Sequence, residues 1–139
     1  MSMEKYNKIH FIGIGGISMS SLAEILKSKG KTITGSDGVA SNVTKALENI
    51  GIQVSIGQKA ENITPDTDLI VYTAAVREDN PELMAARASG IETVDRAALV
   101  GMMMLEYKFP LSVAGTHGKT TTSSLVTEIF LEAKANPTV

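Results

Sequence analysis

Short apolar runs alternate with longer stretches of helical periodicity along the first hundred residues. The runs predict strands over 8–12, 32–35, 53–56, 69–73 and 92–94. A further run, Leu111-Ser112-Val113-Ala114, predicts a strand over 111–114. Between them, helical spacing predicts helices over 17–29, 42–50, 81–89, 96–104 and 119–133. Ile17, Leu22, Ile25 and Leu26 share one face of the first helix, and Gly30 ends it. Asn80-Pro81 reads as an N-cap followed by proline at the first helical position, with Gly90 as the stop. Strand–helix alternation of this kind predicts an α/β fold, a Rossmann-like parallel sheet with helices on both faces.

Two junctions in this pattern carry glycine loops. Ile9-His10-Phe11-Ile12 runs into Gly13-Ile14-Gly15-Gly16-Ile17-Ser18. Leu111 to Ala114 runs into Gly115-Thr116-His117-Gly118-Lys119-Thr120-Thr121. A strand-to-helix junction offers unpaired N–H groups and the positive end of a helix dipole to an anion. Two of them point to two phosphate-bearing ligands.

In the first loop, Gly13 and Gly15 let the backbone approach a diphosphate, and Gly16 adds freedom. Ser18 stands where a dinucleotide fingerprint has its third glycine. Asp37, in Gly35-Ser36-Asp37-Gly38, is the acid expected at the end of the second strand to meet a ribose hydroxyl. Thr73, Ala74, Ala75 and Val76 end the fourth strand with small side chains, which admits a ligand to the sheet. A ligand-free tight turn is the plainer alternative, and the glycines alone do not separate NAD, FAD and sugar nucleotides. Arg77 and Arg96 are candidate phosphate contacts, set against the commoner solvated arginine. His10, inside a strand, reads as a hydrogen-bonded interior histidine.

In the second loop, Gly118-Lys119-Thr120 is the core of a P-loop. The backbone wraps phosphate oxygens, the lysine meets the β- and γ-phosphates, and the Thr120 hydroxyl reaches Mg²⁺. The loop is shorter than the common pattern, because Val113 occupies the usual first-glycine position and Gly115 takes that role. His117 has no partner for metal binding. Met102-Met103-Met104 reads as an apolar helix face or an interdomain contact.

Composition narrows the classes. A 43% hydrophobic content with 20% charged residues supports a core. A net charge of -2 and the lack of a basic stripe argue against nucleic acid. Cysteine is absent, which removes disulfides and thiolate chemistry. No apolar stretch approaches the roughly eighteen residues of a membrane helix, and no signal peptide opens the chain, so a cytoplasmic protein is expected.

A polar break with a proline, from Glu106 to Pro110, divides the chain into residues 1–107 and 108–139. About thirty residues are too few for a second core, so the second domain is expected to continue beyond Val139. A strand over 111–114 without sheet neighbours would expose an edge, which invites pairing into a homodimer.

With these residues assembled, the chain resembles the Mur ligases, the ATP-dependent amide ligases of peptidoglycan synthesis. The resemblance rests on His10 to Ile17, Met19-Ser20, Leu22 to Leu26, Gly35-Ser36-Asp37, Asn80 to Leu83 and Ala114 to Thr122. The shortened P-loop is a mark of that family. The resemblance implies that Gly13, Ile14, Gly15, Gly16, Ile17 and Ser18 lie against the diphosphate of UDP-N-acetylmuramate. It places Ser36 and Asp37 near the uridine and Thr73 to Val76 in the same cleft. It implies that Gly115 to Thr121 hold ATP, with Lys119 and Thr120 as catalytic residues and Thr120 near Mg²⁺. L-alanine is the implied amino partner, with an intact peptide as the alternative within the family. The implied reaction phosphorylates a carboxylate, and the amine then attacks the acyl phosphate. Residues 1–139 alone are expected to bind the sugar nucleotide without ligating. Gln58 departs from the histidine frequent at its position, and Ser18 from the usual glycine. Outside the family, a nicotinamide-dependent oxidoreductase or a non-catalytic nucleotide module are the rival readings; the first leaves the P-loop unexplained.

Overall fold

A computed structural model describes residues 3–139. The chain divides into two compact units, Met1–Tyr107 and Lys108–Val139. The first unit holds a five-stranded, all-parallel sheet: β1 (Lys8–Ile12), β2 (Thr32–Asp37), β3 (Gln53–Ile56), β4 (Leu69–Tyr72) and β5 (Glu92–Asp95). The strand order is β3-β2-β1-β4-β5, so β1 is central and the order reverses beside it. That reversal opens a crevice at the carboxyl ends of β1 and β4, where ligands bind in open α/β sheets. Helices α1 (Ile17–Ser28), α2 (Asn42–Asn49), α3 (Pro81–Ala88) and α4 (Arg96–Met104) connect or follow the strands.

Successive side chains of a strand point to opposite faces, and β1 uses both. Ile9 and Phe11 join the larger core with Met19, Ala23 and Leu26 of α1, Leu47 of α2, and Leu99, Met102 and Met103 of α4. Met102 and Met103 thus belong to an apolar helix face. Ile12 joins a smaller core with Ile70 of β4 and Leu83 and Ala86 of α3. His10, 2% exposed, points to that second face.

Three helices begin with a side-chain cap. Ser41 and Thr44 form a reciprocal capping box at α2, Asn80 accepts from Glu82 N and Leu83 N at α3, and Asp95 accepts from Ala98 N at α4. Replacing Asn80 with alanine leaves two amides without that acceptor. The loss should be about 1 kcal/mol or somewhat more in urea denaturation.

Another carboxylate secures the start of β1. Asp68 accepts from Asn7 N and Lys8 N at 2.8 Å each, and the Lys8 ammonium donates to Asp66 at 2.7 Å. The Lys8 hydrogen bond holds the Asp66 carboxyl at about 2, below its ordinary 3.8, with a second bond from Thr64. The Lys8 and Asn7 amides likewise depress Asp68. A depressed carboxylate gives stability above its unfolded value and loses it as pH falls through the folded one. The urea midpoint should therefore stay level from about pH 7 to 5 and fall below about pH 4. Asp68→Asn should flatten that acid limb; an unchanged limb would assign it to other groups.

The second unit contains one helix, α5 (Lys119–Glu132), with no buried residue; Leu125 and Ile129 on it are exposed. The strand expected over 111–114 does not form, because a strand needs a hydrogen-bonded neighbour and residues 108–139 contain no second strand. Among the described residues no helix is long and apolar enough to cross a membrane.

Candidate functional site

The crevice of the first unit is a cleft of about 740 Å³, floored by Gly13, Gly15 and Gly16. Asp37 forms one wall, and Thr73, Ala75 and Val76 another. Gln58, Arg77, Asp79, Asn80 and Pro81 complete the rim. Two of these glycines, Gly13 and Gly15, are required by the spacing. Gly13 has φ +84, and a Cβ there would stand 2.6 Å from Thr73 Cγ2. A Cβ on Gly15 would stand 2.7 Å from Asp37 Oδ2.

The loop is bonded to the end of β2. The Ser36 carbonyl accepts from both Gly13 N and Ile14 N at 2.9 Å. Asp37 Oδ2 accepts from Gly15 N at 2.9 Å, and Oδ1 from Val39 N at 3.2 Å. The acid expected at a ribose therefore stands in the cleft wall, tied to the loop itself.

Several residues expected to touch a ligand are placed otherwise. Ile14 is fully buried in the larger core, with its amide on Ser36. The Ser36 side chain is fully buried and donates to Glu82. Ile17 turns its side chain outward, 85% exposed, so only its backbone faces the loop. Ala74 is exposed beside the cleft and does not line it. Ser18 is exposed and accepts from Arg96 Nη1 at 3.2 Å, which brings a cation to the start of α1. Arg77 forms a two-point pair with Asp79 at 3.0 and 2.8 Å.

The two helices opened by glycine loops share one property. α1 begins at Gly16 and α5 at Gly118, and neither has a side-chain cap. The other three α-helices have one. The first-turn amides of α1 and α5 have no intrahelical acceptor, and their dipoles point positive ends into the loops. An anion would complete both.

In the second unit Gly118 has φ +74. Lys119 Nζ reaches back over the loop to donate to the Gly115 carbonyl at 2.6 Å. Thr116, His117, Thr120 and Thr121 are exposed around it. The ammonium, the uncapped amides and the hydroxyls form a donor set that fits a polyphosphate.

Sequence reasoning missed Glu82. It is fully buried, and its Oε1 accepts from His10 Nε2 at 2.7 Å. Its Oε2 accepts from Ser36 Oγ at 2.6 Å. His10 Nδ1 meets Thr34 Oγ1 at 2.8 Å. The one hint in the sequence is an acid in the first turn of a helix, where the dipole alone would explain it.

Comparison with known proteins agrees with this architecture. The family model described as "Mur ligase family, catalytic domain" matches residues 8–108. A UDP-N-acetylmuramate--L-alanine ligase of Agathobacter rectalis is 57% identical over 131 residues, covering 94% of this chain and 28% of that protein. The same-named ligase of Acetivibrio thermocellus is 54% identical, over 97% of this chain and 29% of its own length. Among solved structures, UDP-N-acetylmuramate-alanine ligase MurC from Thermotoga maritima superposes with TM-score 0.80 and 37% identity, covering 91% of this chain and 30% of that one. A murein peptide ligase from Psychrobacter arcticus superposes with TM-score 0.81 and 30% identity, covering 91% and 27%. The chain thus spans less than a third of the length of these relatives. On the match over residues 8–108, the cleft-bearing parallel sheet, and the identity to these ligases, the chain belongs to the Mur ligase family.

Proposed function

We propose that the first unit binds UDP-N-acetylmuramate, with its diphosphate at the start of α1 and its nucleoside toward Asp37. The observation that carries this reading is the missing cap: the helix that rises from the cleft floor begins on bare amides, with Arg96 beside them. Asp37 and the small residues Thr73 and Ala75 line the same cleft. The carboxylate of Asp37 offers acceptors to sugar hydroxyls and repels a further phosphate.

The second unit supplies the phosphate loop for ATP. Lys119 would exchange its bond to Gly115 for the transferred phosphoryl oxygens, where it neutralises charge. Thr120 would present its hydroxyl to Mg²⁺. ATP with Mg²⁺ would supply the phosphoryl group that activates the substrate carboxylate. In a whole ligase, L-alanine then forms the amide in peptidoglycan synthesis. The part of this chain is to bind, orient and neutralise.

Isothermal titration of the chain with UDP-N-acetylmuramate, with NADH as control, tests the first statement. Saturable heat with the sugar nucleotide alone is expected. Heat with NADH alone would overturn it in favour of a nicotinamide site.

A further inference from the structure

Among the described residues, Glu82 is the one acidic side chain that is buried. A carboxylate taken out of water is costly unless every lone pair is used. Both oxygens of Glu82 are used, one by His10 of β1 and one by Ser36 of β2. The same residue donates its amide to Asn80 Oδ1 at 3.0 Å, and Asn80 Nδ2 donates to Gln58 Oε1 at 2.7 Å. Ser36 in turn carries Gly13 N and Ile14 N on its carbonyl. Residue 82 therefore stands between the two sides of the cleft: its carboxylate reaches the glycine floor through Ser36, and its backbone amide lies in the Asn80 cap beside the Gln58 rim. An apolar side chain could fill the same volume without the desolvation cost, so packing alone does not call for an acid here.

We infer that Glu82 is a positioning residue for the sugar-nucleotide cleft: through the Ser36 hydroxyl its carboxylate sets the place of the glycine loop against α3, the helix whose Asn80 cap carries the facing rim, without touching the ligand. This rests on the reading of the cleft given above. His10 serves the same end. Its Nε2 pairs with the Glu82 carboxyl and its Nδ1 with the Thr34 hydroxyl, which fixes the ring between two strands.

The test compares three variants of the chain by NMR and by titration with UDP-N-acetylmuramate. In Glu82→Leu, amide exchange at Gly13 and Ile14 should rise about tenfold or more, and affinity should fall about tenfold. The urea midpoint should fall as well, because His10 Nε2 and Ser36 Oγ lose a buried partner, so loop exchange is compared with the global opening of the same variant. In Glu82→Gln the side chain can still bridge His10 Nε2 and Ser36 Oγ, accepting on its oxygen from one and donating its NH2 to the other, and imidazole ¹⁵N shifts report which ring nitrogen then carries the proton. That variant should keep more affinity than Glu82→Leu. A residue that merely stabilised the unit would raise loop exchange only in step with global unfolding. Wild-type exchange at Gly13 and Ile14 in folded Glu82→Leu would overturn the inference. Should that variant not fold, Ser36→Ala decides, since it cuts the same link and leaves Glu82 in place; wild-type loop exchange there would overturn it equally. A wild-type chain that binds no sugar nucleotide would sink the functional reading, while loop exchange would still decide the role of Glu82.

Discussion

Replacing Gly35 with alanine should destabilise the first unit by about 3 kcal/mol. Gly35 sits inside β2, paired with Phe11 of β1. A Cβ there would stand 2.6 Å from Ile14 Cδ1, 2.8 Å from Ile14 Cβ and 2.8 Å from the Phe11 carbonyl oxygen. The Ile14 side chain is fully buried, and a strand carbonyl cannot rotate away, so neither neighbour has room to yield. Relief requires the turn after β1 to lift from β2. That movement strains the bonds from Gly13 and Ile14 to Ser36. Against a total stability of about 5–15 kcal/mol for a domain of this size, such a loss lowers the melting temperature by about 15 °C. Urea and thermal denaturation measure it directly. A loss below about 1 kcal/mol would mean that Ile14 repacks freely.

The Gly15→Val variant should bind UDP-N-acetylmuramate about a hundredfold more weakly, with a much smaller effect on folding. The first added carbon already meets Asp37 Oδ2 at 2.7 Å and Thr44 Cγ2 at 3.2 Å. Asp37 is a flexible, half-exposed side chain, so it can move aside. In moving it leaves Gly15 N without its acceptor and surrenders its place in the cleft wall. The remaining methyl groups would project beside the cleft floor. Gly16 offers the contrast: a Cβ there comes no nearer than 3.6 Å to any neighbour, so Gly16→Ala should retain far more affinity. Titration of both variants against the parent checks the pair. Equal affinity in Gly15→Val and the parent would remove this cleft as the ligand site.

Much of this was legible in the sequence, and for definable reasons. β1, β3 and α4 fall where the apolar runs and periodicity place them, and β1 and α4 do so because they bury apolar side chains in the core. The Asn80-Pro81 start of α3 was equally readable, since a cap is a local device. The segment 111–114 was not, because its apolar pattern states a preference for extended chain and a ladder needs a partner from elsewhere. Glu82 was invisible for a related reason. It lies 72 positions from His10 and 46 from Ser36, and only the strand order brings the three together. Ser36 itself shows that adjacency to a motif does not reveal side-chain direction. Strand alternation turns Asp37 into the cleft and Ser36 into the interior.

The bonds that Ser36 and Asp37 make to the first glycine loop also bear on how a ligand is met. Those bonds fix the turn when the unit folds. The entropy of ordering it, on the order of 1–2 kcal/mol per residue, is therefore absent from the association step. A sugar nucleotide binding as proposed would meet a loop already ordered at this end of the cleft. Capture at the glycine floor should then be a single bimolecular event, with an observed rate that climbs in proportion to ligand concentration and shows no plateau from a slow rearrangement.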